Sequence, residues 1–527
     1  MKWFFSAHKI TQHFLNSQRY HLHGGSRWPS LSVYSGHYYS TSKILNDTDS
    51  SLRLAMATSI ILSSKNEFVL NMLSNTNKTE DNIKDVDLEI FSTETIKPFS
   101  PTPHHRRTFN LSIIDQCMYD VYSPWILFFP NTNKESVTDV AKRSKRLKES
   151  LSEILTRFYP LAGRLKDNLQ IVCNDEGIYY TEARVNQTLQ DFLRHPDDEK
   201  VKGLMPKTPG ITESSIGNYV MGIQVNIFKC GGIGLSTNTS HKIVDAQTYY
   251  VFMKAWAAAY RGSQESVSPS FVASEIFPNN PLLEYSVSSR LLTTKSLSTK
   301  RFVFDSTTLG ILKAQPVAST SSTHPPTRVE ATTAVIWKAA AKAASKVRNF
   351  GPQSPHALLS AVNLRQRASP PLSKESIGNL IDVVCAICFP DGHLDLPTMM
   401  GDLREAITKI NSDHIESKKG IKGRETFNEI LGRLNQLMDA TAEEDRLVAT
   451  SFLNSGMYEL DFGWGKPIWF YVMNARVVRK VALNDTLKGG GVEAIVTLSP
   501  DEMEIFEHDS ELLSYATVNP SPLRFVP

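Results

Sequence analysis

The sequence predicts an α/β protein built in two halves, and three observations lead there. The chain has 527 residues, well beyond the ~250–300 at which one hydrophobic core stops growing. Strand-like alternation and helix-like spacing recur on both sides of a Ser- and Pro-rich stretch, residues 266–300. Composition is 41% hydrophobic and 21% charged, the balance of an ordinary globular chain.

The first 46 residues carry Lys2, Lys9, Arg19, Arg27 and Lys43 and no Asp or Glu. Transit peptides share that composition with leaders that carry no address and with a wrongly included upstream start, and these readings stay open. Residues 1–84 are therefore set outside the expected fold. Formal net charge is +3, so the remainder is close to neutral, which argues against a nucleic-acid binder. No apolar run reaches the ~18–20 residues that span a bilayer. Five cysteines, an odd and sparse set, argue against a disulfide framework. Cys385 and Cys388 form a CxxC within "LIDVVCAICFP". That stretch reads as a strand, where such a pair points to opposite faces, so two core thiols outweigh half a zinc site.

Past the leader, "VDLEIFSTETIKP" reads as a strand and "SPTP" as a turn. "SVTDVAKRSKRLKESLSEILTRF" has apolar residues at helical spacing, with its Lys and Arg expected on a solvated face. "VMGIQVNIFKCGGIGLSTNTS" reads as two strands joined at Gly231-Gly232. After it, Asp245 is a plausible N-cap for the helical run "AQTYYVFMKAWAAAYR", which Gly262 can close. "KRFVFD" resumes the strands, and the Ala-rich "TRVEATTAVIWKAAAKAASKV" is a strong helix former.

His241 thus falls in the short link between a strand and a helix, a common place for reacting groups. An unperturbed imidazole has a pKa of ~6.5, so a free base is available near neutral pH. Asp245 four residues later invites a His–Asp pairing, but an aspartate that caps a helix faces its own backbone amides. A second stretch, "YELDFGWGKPIW", sets Asp461 beside Gly463, Trp464 and Gly465. The glycines suit a tight backbone, and the tryptophan suits packing.

"SHKIVDA" followed some 220 residues later by "DFGWGKP" resembles the BAHD family of plant acyl-CoA-dependent acyltransferases. "ETIKPFSPTP", "YPLAGRL", "AVNLRQRASPPL" and "IGN" add to the resemblance, which runs from about Val86 to the C-terminus and is closest to an alkaloid acetyltransferase clade. It implies two similar chloramphenicol acetyltransferase-like domains, residues 85–265 and 301–527, each a mixed sheet with flanking helices. Residues 266–300 would cross between them, and a channel would separate them. It implies His241 as general base, with Asp245 turned away from substrate to pair with Arg365. Asp461 is sometimes counted as a second catalytic aspartate, while Gly463, Trp464 and Gly465 would shape the backbone. The Trp464 indole N–H is one candidate oxyanion donor. Acyl-CoA, above all acetyl-CoA, would be the co-substrate and a small hydroxylated metabolite the acceptor. The resemblance implies no tightly bound cofactor, no metal, a monomer and a cytoplasmic location, with mitochondrion or plastid as the leader's alternative. N-acyl transfer, acylsugar acylation, hydrolysis of acyl-CoA and a non-catalytic binding role are the competing readings. Two positions depart from the commonest family pattern. Ala246 follows the motif aspartate where glycine is usual, and Ser451-Phe452 replaces a Ser-Trp pair at the implied acceptor pocket.

Overall fold

The computed structural model describes residues 86–525 apart from 132–136, 210–214, 264–266, 284–289, 319–323, 349–354 and 390–393. The basic stretch 1–84 lies outside the described residues. Eight strands precede His241: β1 (Leu88–Ile96), β2 (Thr108–Asn110), β3 (Tyr122–Phe129), β4 (Arg164–Leu165), β5 (Gln170–Val172), β6 (Ile178–Val185), β7 (Met221–Phe228) and β8 (Ile233–Ser240). Eight follow it: β9 (Ser298–Phe304), β10 (His356–Asn363), β11 (Ile381–Cys388), β12 (Arg446–Ser451), β13 (Trp469–Val472), β14 (Lys480–Asp485), β15 (Val492–Leu498) and β16 (Thr517–Val518). The principal helices are α1 (Val137–Leu155), α2 (Ala246–Arg261), α3 (Arg328–Val347), α4 (Leu396–Thr408) and α5 (Gly423–Ala440).

Two mixed sheets dominate. The first has the order β1-β6-β7-β8-β3-β13, with β6 and β7 parallel. The second has the order β11-β10-β12-β14-β15-β9-β16, with β10, β12 and β14 parallel. One strand breaks the sequence order. β13 comes from the second half, yet pairs antiparallel with β3, setting Trp469 opposite Phe128 and Val472 opposite Trp125. The stretch 267–283 is no loose tether either, since Phe277 is buried in the second core and the Ile113 amide donates to its carbonyl at 2.9 Å.

Each sheet buries one set of helices. On α1, Leu147, Leu151, Ile154 and Leu155 are all buried, the stripe its spacing predicts, and each such side chain contributes about 1.5–3 kcal/mol. The basic face of α1 departs from the expected solvated surface. Arg143 is buried over the Trp464 ring, 5.0 Å from its centroid. Arg146 donates to the Ala259 carbonyl at 2.6 Å and the Tyr260 carbonyl at 3.1 Å, closing the end of α2. Lys148 pairs with buried Glu182 at 2.9 Å. In the second half, α3 buries most of its length in the second core. The two CxxC thiols do face opposite ways. Cys388 enters the second core, while Cys385 packs with Leu291, Leu359 and Met438. Among the described residues, no helix is long and apolar enough to cross a membrane.

β8 is unusual in being buried along its whole length although Ser236 to Ser240 are all polar. Burial of such groups is tolerated when each finds a partner. Thr237 Oγ1 bonds the Tyr249 hydroxyl at 3.0 Å, Asn238 Nδ2 donates to the Pro206 carbonyl at 2.8 Å, and the Trp125 indole donates to Thr239 Oγ1 at 3.0 Å. The strand that delivers His241 is therefore held by directional bonds as well as by packing.

The start of α3 carries a capping box. Thr327 Oγ1 accepts from the Glu330 amide, and Glu330 Oε2 accepts from the Thr327 amide at 2.8 Å. Arg404 on α4 then grips the same carboxylate, at 3.0 Å from Nε and 2.9 Å from Nη2. Burial would raise the Glu330 carboxyl; Arg404 and the Thr327 amide hold it below its ordinary value instead. Glu330→Ala strips a buried guanidinium of its counter-ion, and we expect a loss of about 3–5 kcal/mol. Chemical denaturation at pH 7 measures it, and a loss under about 1 kcal/mol would show the pair to be dispensable.

Candidate active site

His241 leaves the end of β8 in a tight turn. Its amide donates to the Val121 carbonyl at 2.9 Å, and the amides of Ile243 and Val244 both return to the Ser240 carbonyl. Lys242 points the opposite way, is buried, and donates to the Gln116 carbonyl at 3.0 Å. The turn is thus pinned on both sides of the histidine.

Asp245 is the N-cap of α2. Its Oδ1 accepts from the Thr248 amide at 2.8 Å, and Gly262 closes the helix with φ of 66°. Both carboxylate oxygens also meet Arg365, at 2.7 Å from Nη1 to Oδ2 and 3.1 Å from Nη2 to Oδ1. The Leu380 amide adds a bond to Oδ2 at 3.1 Å. Arg365 goes on to donate to the carbonyls of Ser376 and Gly378 at 2.9 and 3.0 Å. Burial would raise the Asp245 carboxyl, and the guanidinium overrides it, holding the group below its ordinary value.

The His241 imidazole is held by a residue that sequence reasoning did not single out. Its Nδ1 lies 3.2 Å from Asn379 Oδ1. The amide nitrogen of Asn379 donates to the His241 carbonyl at 2.8 Å and to Asp115 Oδ1 at 2.8 Å. A carbonyl can only accept, so the nitrogen of the side-chain amide must sit on that side. Its oxygen is then turned to His241, and Nδ1 carries the proton. Nε2 is left as the basic nitrogen. Asp115 is fixed in turn by Ser112, whose amide and hydroxyl reach Oδ2 at 2.9 and 2.7 Å. Gly378, at φ of 114°, lets this loop in, since a Cβ there would sit 3.1 Å from that of Ala273. The signal was present in "IGN", where a Gly-Asn pair follows an apolar residue, but nothing local links it to a histidine 138 positions earlier.

His241 lines a cavity of about 240 Å³. Most of the wall is apolar, and Tyr119 presents its ring edge-on to the imidazole at 5.8 Å between centroids. Phe452 borders the same space against Trp125, with 5.1 Å between centroids. Burial pushes the imidazole below its ordinary pKa, and the charge of Lys480, which lines the same cavity, pushes it further in that direction.

Asp461 and its neighbours are not brought to His241. None of Asp461, Gly463, Trp464 and Gly465 lines the cavity. Asp461 Oδ1 accepts from the Gly463 amide at 2.6 Å and the Gly465 amide at 3.2 Å, folding the chain back on itself. Both glycines have positive φ, 96° and 108°. Trp464 is buried in the first core, stacked on Phe462 at 5.0 Å and edge-on to Tyr260 at 4.6 Å. That position takes its indole away from the cavity, so the oxyanion role considered for it has no geometric support. Arg261, the last residue of α2, donates to the Asp461 carbonyl. The motif therefore anchors the start of β13 to the end of α2.

Two outcomes test this division of labour. Asp245→Asn leaves the Arg365 charge buried without its counter-ion and should cost about 3–5 kcal/mol at pH 7. The wild-type advantage is present above the ordinary carboxylate pKa of ~3.9 and lost as pH falls through the lowered native value, so urea titrations in acid should show the two proteins converging. Asp461→Ala removes two amide bonds to a carboxylate and should cost about 1–3 kcal/mol, with turnover per folded molecule retained. A rate loss in normally folded protein would put Asp461 in the chemistry.

Comparison with known proteins gives the arrangement a context. A family model described as "Transferase family" matches residues 86–513. A limonoid 7-O-acetyltransferase of Citrus sinensis is 37% identical over 459 residues, covering 82% of this chain and 99% of that protein. Vinorine synthase of Rauvolfia serpentina is 34% identical over 431 residues, covering 81% and 97%. The crystal structure of vinorine synthase superposes with a TM-score of 0.71 at 33% identity, covering 82% of this chain and all of that one. The fold is also that of F. sporotrichioides TRI101, solved with coenzyme A and T-2, at a TM-score of 0.60, 19% identity and coverage of 78% and 99%. The chain belongs to the transferase family of BAHD acyltransferases.

Proposed function

We propose that this acyl-CoA-dependent O-acyltransferase carries an acyl group, acetyl foremost, from acyl-CoA to a hydroxyl of a plant specialised metabolite, with His241 as general base. The observation that supports it best is an imidazole whose Nδ1 proton is tied to Asn379 while the residue lines an apolar cavity. A limonoid, an alkaloid or a related scaffold with a free hydroxyl fits the acceptors named for the relatives. The lobes would be residues 85–265 and 301–527, with β13 lent by the second to the first sheet.

Nε2 takes the proton of the acceptor hydroxyl as the oxygen attacks the thioester carbonyl. The tetrahedral oxyanion collapses, the carbon–sulfur bond breaks, and Nε2–H returns the proton to the departing thiolate. Direct transfer of this kind suits the thiol nearest the site. Cys117 lines the cavity, and burial pushes its pKa up to about 12, so little of it is thiolate at neutral pH.

A positioned general base contributes ~10²–10⁴ in rate. His241→Ala should lose at least that much acceptor-dependent CoA release while melting like the parent; full activity would overturn the mechanism, and release without acceptor would indicate a hydrolase. The base must be unprotonated, and burial lowers its pKa. The acid limb of kcat/KM should therefore lie below ~6.5, the value of an unperturbed imidazole.

A further inference from the structure

The cavity beside His241 holds a cation, Lys480, that lowers the imidazole pKa but makes no contact in the transfer steps above. Lys480 opens β14 and lines the cavity wall. Its side chain lies on the same face of the strand as Ala482, which packs in the first core, whereas Val481 and Leu483 enter the second. Val448 faces it across the ladder, and Val477 and Leu291 border the same space. Among the described residues, the other charged groups on that wall are matched. Asp245 is taken by Arg365, and Asp382 by Lys418 and by His414 at 2.7 Å. No hydrogen bond or ion pair of the described residues reaches the Lys480 ammonium.

Lys480 is half-buried on a mostly apolar wall, and an ammonium held there without a partner carries a desolvation cost that a complementary charge would offset. The amine stays mostly protonated at neutral pH, since burial lowers it to about 8 and no further. No other cation of the described cavity wall lacks a carboxylate, so the space carries a surplus of one positive charge.

Given the acyl transfer proposed for His241, we infer that Lys480 recognises a carboxylate on a substrate bound in this cavity, carried either by the acyl arm of a dicarboxylic acyl-CoA or by the acceptor. The transfer itself is unaltered. The carboxylate is a handle that orients the substrate while its hydroxyl or thioester reacts at His241. A neutral analogue fits the same apolar wall but leaves the ammonium bare.

Calorimetry on the full-length protein with two matched pairs of probes tests this. Malonyl-CoA against acetyl-CoA reads the acyl arm. A hydroxylated triterpene acid, oleanolic acid, against its methyl ester reads the acceptor. The acidic member of one pair should bind about 10-fold tighter, roughly 1.4 kcal/mol. That preference should fall to near unity in Lys480→Met and persist in Lys480→Arg. A preference in the first pair assigns the carboxylate to the acyl arm, and in the second to the acceptor. No preference in either pair, or one that survives Lys480→Met, overturns the proposal. Melting supplies an independent check. Lys480→Met should melt no lower than the parent, because it removes a half-buried charge that the protein does not pair; a drop of many degrees would mean a protein partner and would also overturn it. Acetyl-CoA binding and its loss of turnover in His241→Ala report on the transferase reading separately, so either idea can fail alone.

Discussion

Arg365 is 1% exposed, and its guanidinium reaches the Asp245 carboxylate, two backbone carbonyls and the Thr248 hydroxyl. Burying an ion pair is favourable only when nearly every donor and acceptor is satisfied, and here they are. The consequence is mechanical. Asp245 caps the first turn of α2, whereas Arg365 and the loop 376–380 belong to the second half of the chain. The pair fastens one to the other directly behind the histidine. Asn379 sits in that same loop, so the group that holds the imidazole is placed by the group that holds the aspartate. A shift of either half would move the acceptor oxygen of Asn379 and the Nδ1 proton together.

The DFGWG stretch solves a different problem at the other end of α2. β13 has to leave the second half, cross, and pair with β3. Asp461 gathers two amides of its own loop, Arg261 ties that loop to the end of the helix, and Trp464 fills the first core. The crossing strand then enters in register, and Ala475, Val477 and Lys480 in the chain after it line the cavity. An aspartate that family resemblance groups with a catalytic histidine is thus placed to hold a strand.

What could be read from the sequence was local. The β7–β8 hairpin, the Asp245 cap and the Gly262 stop each rest on signals within a few residues, and all three stand as expected. The position of His241 between strand and helix followed from those signals. What could not be read depended on partners far along the chain. Asn379 meets Asp115 across 264 positions, and four residues of β13 carry no mark of the strand they will join. The α1 arginines looked solvated because their partners, the Trp464 ring and the end of α2, lie more than a hundred residues away. "STNTS" carries no local sign of the partners that let β8 be buried throughout, since its polar groups bond to several other segments. Arg365 was placed through family resemblance, not through spacing, for the same reason.

The neutral partner of His241 bears on the chemistry itself. A carboxylate bonded to Nδ1 would raise the imidazole pKa and favour the imidazolium. With Asp245 committed to Arg365, an amide takes that place, fixes the tautomer and adds no charge. Enclosure itself lowers the imidazole pKa, so the ring favours its neutral form. The same low pKa would serve the second half of the proposed reaction. In the proposed transfer, an imidazolium formed at Nε2 would be a stronger acid than in water, and the departing thiolate, conjugate base of a weakly acidic alkyl thiol, would be a ready recipient. A carboxylate there would stabilise the intermediate charge but hinder its release. Turning the aspartate away and placing an asparagine beside the ring therefore suits a base that must give its proton back within one turnover.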